Sequence, residues 1–156
     1  MIARLIAMGE QMPDWVEQGT QEYRRRLGGG LKLEIEALPL PRQRGVPAER
    51  LRRDEAQRLR KRLSKYPDSH TVALEVRGRR LSTEALARRI ERLREESRDL
   101  VVLAGGPEGL CPELSGECQE QWSLSDLTLP HPLVRILVAE QLYRAWSLLQ
   151  GHPSHR

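Results

Sequence analysis

The amino-acid sequence predicts an α/β fold, a mainly parallel sheet with helices on both faces. Three observations carry that expectation. Strand-like and helix-like segments alternate along almost the whole chain. Residues 100–104, LVVLA, are apolar with no alternation, the pattern of a strand buried on both faces. The chain has 156 residues, 38% of them hydrophobic, which is enough for one core and too little for two, so residues 1–156 read as a single domain. Phe is absent, so aliphatic side chains must build that core.

Residues 2–8 form a short apolar segment that stops at Gly9, a first strand. Pro13 and Asp14 open a helix on which Trp15, Gly19, Tyr23 and Leu27 recur every four residues, and Gly28 to Gly30 end it. Residues 31–38 alternate, with Leu31, Leu33 and Ile35 on one side and Lys32, Glu34 and Glu36 on the other, a half-exposed strand. A loop with Arg42, Arg44 and Gly45 leads into a helix over 48–64, whose apolar stripe is Leu51, Leu59 and Leu63. Residues 71–76 are the third strand, turned by Gly78. Ser82 caps the next helix, which buries Leu86, Ile90 and Leu93. After the 100–104 strand come the glycines 105, 106 and 109, then a short helix within 112–120. A last strand and its loop occupy 122–129, Pro130 and Pro132 bracket His131 at the helix cap, and the final helix runs over 133–150.

The net charge of +4 permits an anionic partner without demanding one. Only Lys32, Lys61 and Lys65 are lysines, so nearly all the positive charge is Arg, whose planar fork suits phosphate. Most Arg residues have acidic neighbours and read as solvated helix faces. The loop residues Arg42, Arg44, Arg77, Arg79 and Arg80 are the better candidates for phosphate contact. Cys111 and Cys118 are not spaced as a metal pair, so free thiols and no metal are expected. No leader peptide or membrane-length apolar run is recognised, which makes the cytoplasm the expected location.

GGPEG follows a buried strand, at the end where open α/β sheets bind ligands. Its glycines serve either a ligand that approaches the backbone or a tight strand-to-helix turn. The spacing matches neither GxGxxG nor GxxxxGK(S/T), so no dinucleotide or triphosphate site is indicated. Ser123, Ser125 and Thr128 lack a nucleophile elbow and read as ligand-positioning or loop-capping groups. His70 reads as structural and His131 as a cap; Glu108 and Glu140 have no paired carboxylate.

Whole strings carry a resemblance: MPDWVEQGTQEYRRRL, LAGGPEGL, WSLSDLTLPHPLVRILVAEQLYRAWS and the ending HPSHR. Together they closely resemble the SPOUT-class ribosomal RNA large subunit methyltransferase H family, the 23S rRNA pseudouridine N3-methyltransferases, along essentially the full length. The resemblance implies a C-terminal trefoil knot, S-adenosylmethionine as cofactor, a pseudouridine of helix 69 in the assembled ribosome as substrate, and a homodimer. It places cofactor contacts on Leu74, on Gly105 and Gly106, and on Ser123, Leu124, Ser125, Asp126, Leu127 and Thr128. It also implies that the tail enters the partner subunit's site, with His155 as base and Arg156 as phosphate or cofactor anchor. Ser154 stands where the family has tyrosine. The competing readings are a non-enzymatic rRNA-binding protein with an Arg-rich surface, and a small hydrolase using Ser123 or Cys111.

Overall fold

The computed structural model describes residues 1–42 and 44–151. The elements are β1 (Ile2–Met8), α1 (Asp14–Arg26), β2 (Lys32–Leu38), α2 (Ala48–Leu63), β3 (His70–Arg80), α3 (Thr83–Glu95), β4 (Leu100–Ala104), α4 (Pro112–Glu117), β5 (Glu120–Ser123) and α5 (His131–Leu149). The strands make one five-stranded sheet in the order β2-β1-β4-β3-β5. Every strand pairing in it is parallel.

β4 lies at the centre, and its five residues are all buried. Successive side chains point to opposite faces. Leu100, Val102 and Ala104 join the core beneath α3 and α5, with Ala87, Ile90, Leu93, Val138, Leu142 and Trp146. Val101 and Leu103 join the core beneath α2 and α4, with Ala56, Leu59, Leu110 and Leu114. A residue such as Leu103 packs against helices and neighbouring strands at once, and its truncation to Ala costs on the order of 2–5 kcal/mol. The other helix on the α5 side is α1, which packs on α5.

The predicted elements are found, with four differences. The buried face of α1 is set by Val16 and Thr20, whereas Trp15 is 49% exposed. The rest of the predicted stripe does pack inward: a Cβ at Gly19 would come within 2.9 Å of Ile136 Cδ1 on α5, and Tyr23 and Leu27 lie against the core. Gly78 does not turn the chain; it lies inside β3, which is four residues longer than the 71–76 pattern suggests at its C-terminal end. The register there slips, and both Leu74 and Arg79 oppose Trp122. β5 is only Glu120–Ser123, so 124–130 is loop. Finally, Pro130 is the N-cap of α5 without any side-chain cap, and His131 is the first helical residue. Ser82 does cap α3, its hydroxyl accepting from the Ala85 N–H at 3.0 Å. Among the described residues no helix is long and apolar enough to cross a membrane.

Candidate functional site

The parallel order β4-β3-β5 brings three strand ends to one edge of the sheet. Leu74 pairs with Trp122, and Ala73 pairs with Leu103, so Leu74, Gly105 and Ser123 emerge side by side. Between this edge and the helices α3 and α5 lies a partly open, mostly apolar cavity of about 100 Å³. Leu74, Trp122, Ser123 and Leu124 line it together with Ser82 and Gln141. A second cavity of about 120 Å³ shares those first four residues and adds Ser125, Leu127, Leu129 and Val134. Even together the two fall short of the roughly 300 Å³ at which small-molecule sites begin. Leu124 and Leu127 on the loop between them are exposed, with little packing to resist a shift.

The loop hydroxyls build the loop itself. Ser123 Oγ donates to the Ser125 carbonyl at 3.0 Å, and Ser125 Oγ accepts from the Leu127 N–H at 2.9 Å. Among the described residues neither hydroxyl hydrogen-bonds a base, and the buried Cys111 thiol donates to Glu113, so the geometry adds nothing to the hydrolase reading. Asp126 forms an exposed ion pair with Arg80 at 2.7 Å, and Thr128 is exposed. These two do not line either cavity.

Gly105 and Gly106 lie apart from both cavities. A Cβ on Gly105 would stand 2.6 Å from the Gly109 carbonyl carbon, and one on Gly106 would run into Glu55. The Gly109 backbone thus leaves no room for a side chain at Gly105, in accord with the tight-turn reading of GGPEG, while at Gly106 the obstacle is the end of the Glu55 side chain. The turn is closed by the Gly109 N–H, which donates to the Gly106 carbonyl at 3.0 Å. His131 hydrogen-bonds the Gly105 backbone from α5. Pro107 and His131 also border an open groove of about 470 Å³ lined by Met8, Gly9, Glu10 and Leu40.

Of the candidate RNA contacts, Arg42, Arg44 and Arg77 are exposed. Arg79 lines a shallow hollow with Arg88, Arg89 and Arg92, a basic cluster that loop position alone did not reveal. Arg89 is engaged by Glu120, which also hydrogen-bonds His70, so His70 is held in a polar network. Burial pushes the Glu120 carboxyl up, but the bonds from His70 and Trp122 and the Arg89 charge outweigh it and leave the group lowered. Glu140 pairs with Arg144 one turn along α5. His155 and Arg156, like Ser154, lie outside the described residues.

Sequence reasoning missed Glu55. It is 4% exposed, and it falls four residues from Leu51 and from Leu59 on the stripe that α2 buries. An acid at that spacing inside an apolar stripe was the available signal. Leu81, Val138 and Leu142, which line the cavity beneath α3 and α5, were also missed as site residues, since their spacing reads only as core.

A family model described as "Predicted SPOUT methyltransferase" matches residues 1–155. The chain is 53% identical to the Ribosomal RNA large subunit methyltransferase H of Alcanivorax borkumensis, over 97% of this chain and 98% of that one. It is 50% identical to the protein of the same name from Alkalilimnicola ehrlichii, over 100% of this chain and 99% of that one. Among solved structures it is similar to a probable methylase family protein of Haemophilus influenzae, with a TM-score of 0.57 and 15% identity over 96% of this chain and 68% of that one. A putative methylase family protein of Neisseria gonorrhoeae gives a TM-score of 0.54 at 12% identity, over 90% and 81%. These two likenesses concern the fold.

Proposed function

The chain belongs to the SPOUT methyltransferase family, and from that premise we propose that it methylates large-subunit ribosomal RNA with S-adenosylmethionine as methyl donor. The target we propose is N3 of a pseudouridine in helix 69 of 23S rRNA within the assembled ribosome. The observation that carries the reading is the full-length 53% identity to a ribosomal RNA large subunit methyltransferase H. The geometry supports it: Leu74, Trp122, Ser123 and Leu124 surround an apolar cavity at the strand ends, where α/β sheets bind ligands.

With the exposed loop at Leu124 and Leu127 shifting to enlarge the space, the chemistry of these residues suits the donor. Its adenine suits a slot between apolar side chains with a few polar groups, and Leu74, Val102 and Leu124 with Ser82 and Gln141 supply that mixture. With the Ser123 and Ser125 hydroxyls engaged in the loop, the backbone of 123–128 is what remains to bond the ligand, joined by that of Gly105 and Gly106. S-adenosylmethionine supplies a methyl group on a sulfonium, an in-line leaving group that needs no metal or phosphate cradle. The protein's work is then to align acceptor and donor and to take the N3 proton.

For that proton we propose His155 of the tail, with Arg156 as the phosphate or cofactor anchor, acting across a homodimer. The exposed apolar residues Trp15 and Leu133 favour a covered surface on the α1–α5 side. Arg42, Arg44, Arg77 and Arg79 are the proposed phosphate contacts, and the rest of the proposal is a single domain over 1–156, a C-terminal trefoil knot and a cytoplasmic location. The test is mass spectrometry of 23S rRNA from cells with and without the gene. One methyl on a helix 69 pseudouridine, restored by the purified protein on undermodified ribosomes, is the expected result. An unchanged helix 69 overturns the target, and a protein that binds ribosomes but no S-adenosylmethionine turns the reading towards the non-enzymatic one.

A further inference from the structure

Among the described residues Glu55 is a buried acid that nothing in the proposed chemistry uses. It stands on α2, on the face of the sheet opposite α5, and points at the turn after β4. It accepts a backbone hydrogen bond from Gly106. Its other oxygen, Oε2, has no hydrogen-bond partner among the described residues. No described cation forms an ion pair with it, although the residue is 4% exposed. Burying a carboxyl in this way is costly, and a helix interior offers many cheaper choices.

The local fit is reciprocal. A Cβ at Gly106 would meet Glu55 Oε1, the end of that side chain, so the carboxyl occupies the space beside Gly106 and a larger residue there would displace it. From the opposite face of the sheet, His131 bonds the backbone of Gly105. Two consecutive residues of one turn are thus gripped by a helix from each side. Gly106 also accepts from Gly109, so its position fixes the whole 105–109 turn. That turn is one of the proposed donor-binding backbones.

We propose that Glu55 is a positioning residue for methyl-donor binding: by accepting the Gly106 N–H it holds the 105–109 turn in the shape that binds S-adenosylmethionine. The inference rests on the proposed function, since it assumes that the donor meets this turn. The role asks only for an acceptor oxygen, which the carboxyl supplies. Burial, with Glu108 nearby, raises its pKa despite the Gly106 bond and Arg58. An amide can therefore replace it, whereas a methyl group cannot.

The experiment is calorimetric titration of S-adenosylmethionine into the full-length wild type and the Glu55→Gln, Glu55→Ala and Leu51→Ala variants. Leu51 is buried on the same helix stripe and serves as the packing control. Amide exchange at Gly106 is followed in parallel. Binding should weaken about ten-fold or more in Glu55→Ala and stay within about two-fold of wild type in Glu55→Gln and Leu51→Ala. Gly106 exchange should quicken in Glu55→Ala beyond its neighbours on β4. Glu55→Asp, which withdraws the carboxyl by one methylene, replaces the alanine variant if that variant does not fold, with the same expected loss. The inference is overturned if Glu55→Ala, or Glu55→Asp in its place, binds within two-fold of wild type. It is equally overturned if Leu51→Ala weakens binding as much, or if Glu55→Gln fails to rescue it. A wild type that binds no donor overturns the proposed function instead.

Discussion

Arg135 donates to one ring nitrogen of His131 twice, from Nε and from a terminal nitrogen, each at 3.1 Å. Two donors can share that nitrogen only if it carries no proton, so the imidazole is neutral with its hydrogen on the other nitrogen. Arg135 is itself buried, and it also donates to the carbonyls of Met8 and Gly9 at the end of β1. The pair ties the start of α5 to β1 and to the turn after β4.

Burial first, and the Arg135 charge second, hold the His131 pKa below its ordinary value despite the bond to Gly105. The folded state therefore resists a proton that the unfolded chain accepts near pH 6.5. Stability contributed here is full above that pH and is lost as pH falls below it. His131→Asn keeps a donor for Gly105 without a titrating ring. Urea unfolding at pH 7.5 and 5.5 should show the wild type losing on the order of 1 kcal/mol more than the variant. Equal losses would contradict the neutral pair.

Glu55 has the opposite sign. Its raised pKa means that the unfolded chain releases the proton first as pH rises. The stability it permits is full below about pH 4.5 and declines as pH climbs through the folded value. Glu55→Gln should therefore be more stable than wild type at pH 8, by on the order of 1 kcal/mol, with the gap closing towards pH 4.5. A gap that does not change with pH would contradict the raised pKa of Glu55.

Gly78 is required by space and not by dihedral angle. A Cβ there would stand 2.7 Å from the Trp122 carbonyl carbon and 2.9 Å from the Gln121 carbonyl oxygen, both backbone atoms of β5. Gly78→Ala must push β3 from β5 beside the partly open cavity. A loss of about 1–3 kcal/mol in denaturant unfolding is expected, together with weaker donor binding. Wild-type stability in this variant would mean that the two strands do not approach so closely.

Cys118 is a structural thiol. Burial is the main cause that pushes its pKa up to about 11, against a bond with Thr71, and its Sγ donates to the Leu114 carbonyl at 3.5 Å. Thiolate, not thiol, is the nucleophile. Iodoacetamide at pH 8 should leave Cys118 unmodified in the native protein and alkylate it in urea, read by peptide mass spectrometry. Native-state modification at the rate of a free thiol would contradict its burial.

Local sequence determined what each segment hides. LVVLA had to lie between two apolar layers, Ser82 had to start a helix, and the residues before Gly9 had to form a strand, because dihedral preference and periodicity act over a few residues. Leu74, Ser123 and Leu124 were legible as candidates through motif resemblance, and the strand order is what gathers them around one cavity. Tertiary structure alone decided the rest. On α1, Gly19 meets Ile136, far along the chain, while Trp15 on the same stripe is left exposed. Gly78 sits in a strand because the β5 backbone passes over it, and Glu55 is buried because Gly106 offers it an N–H. A sequence pattern reports the wish of a residue to leave water; which atom waits for it in the interior depends on contacts that only the folded chain makes.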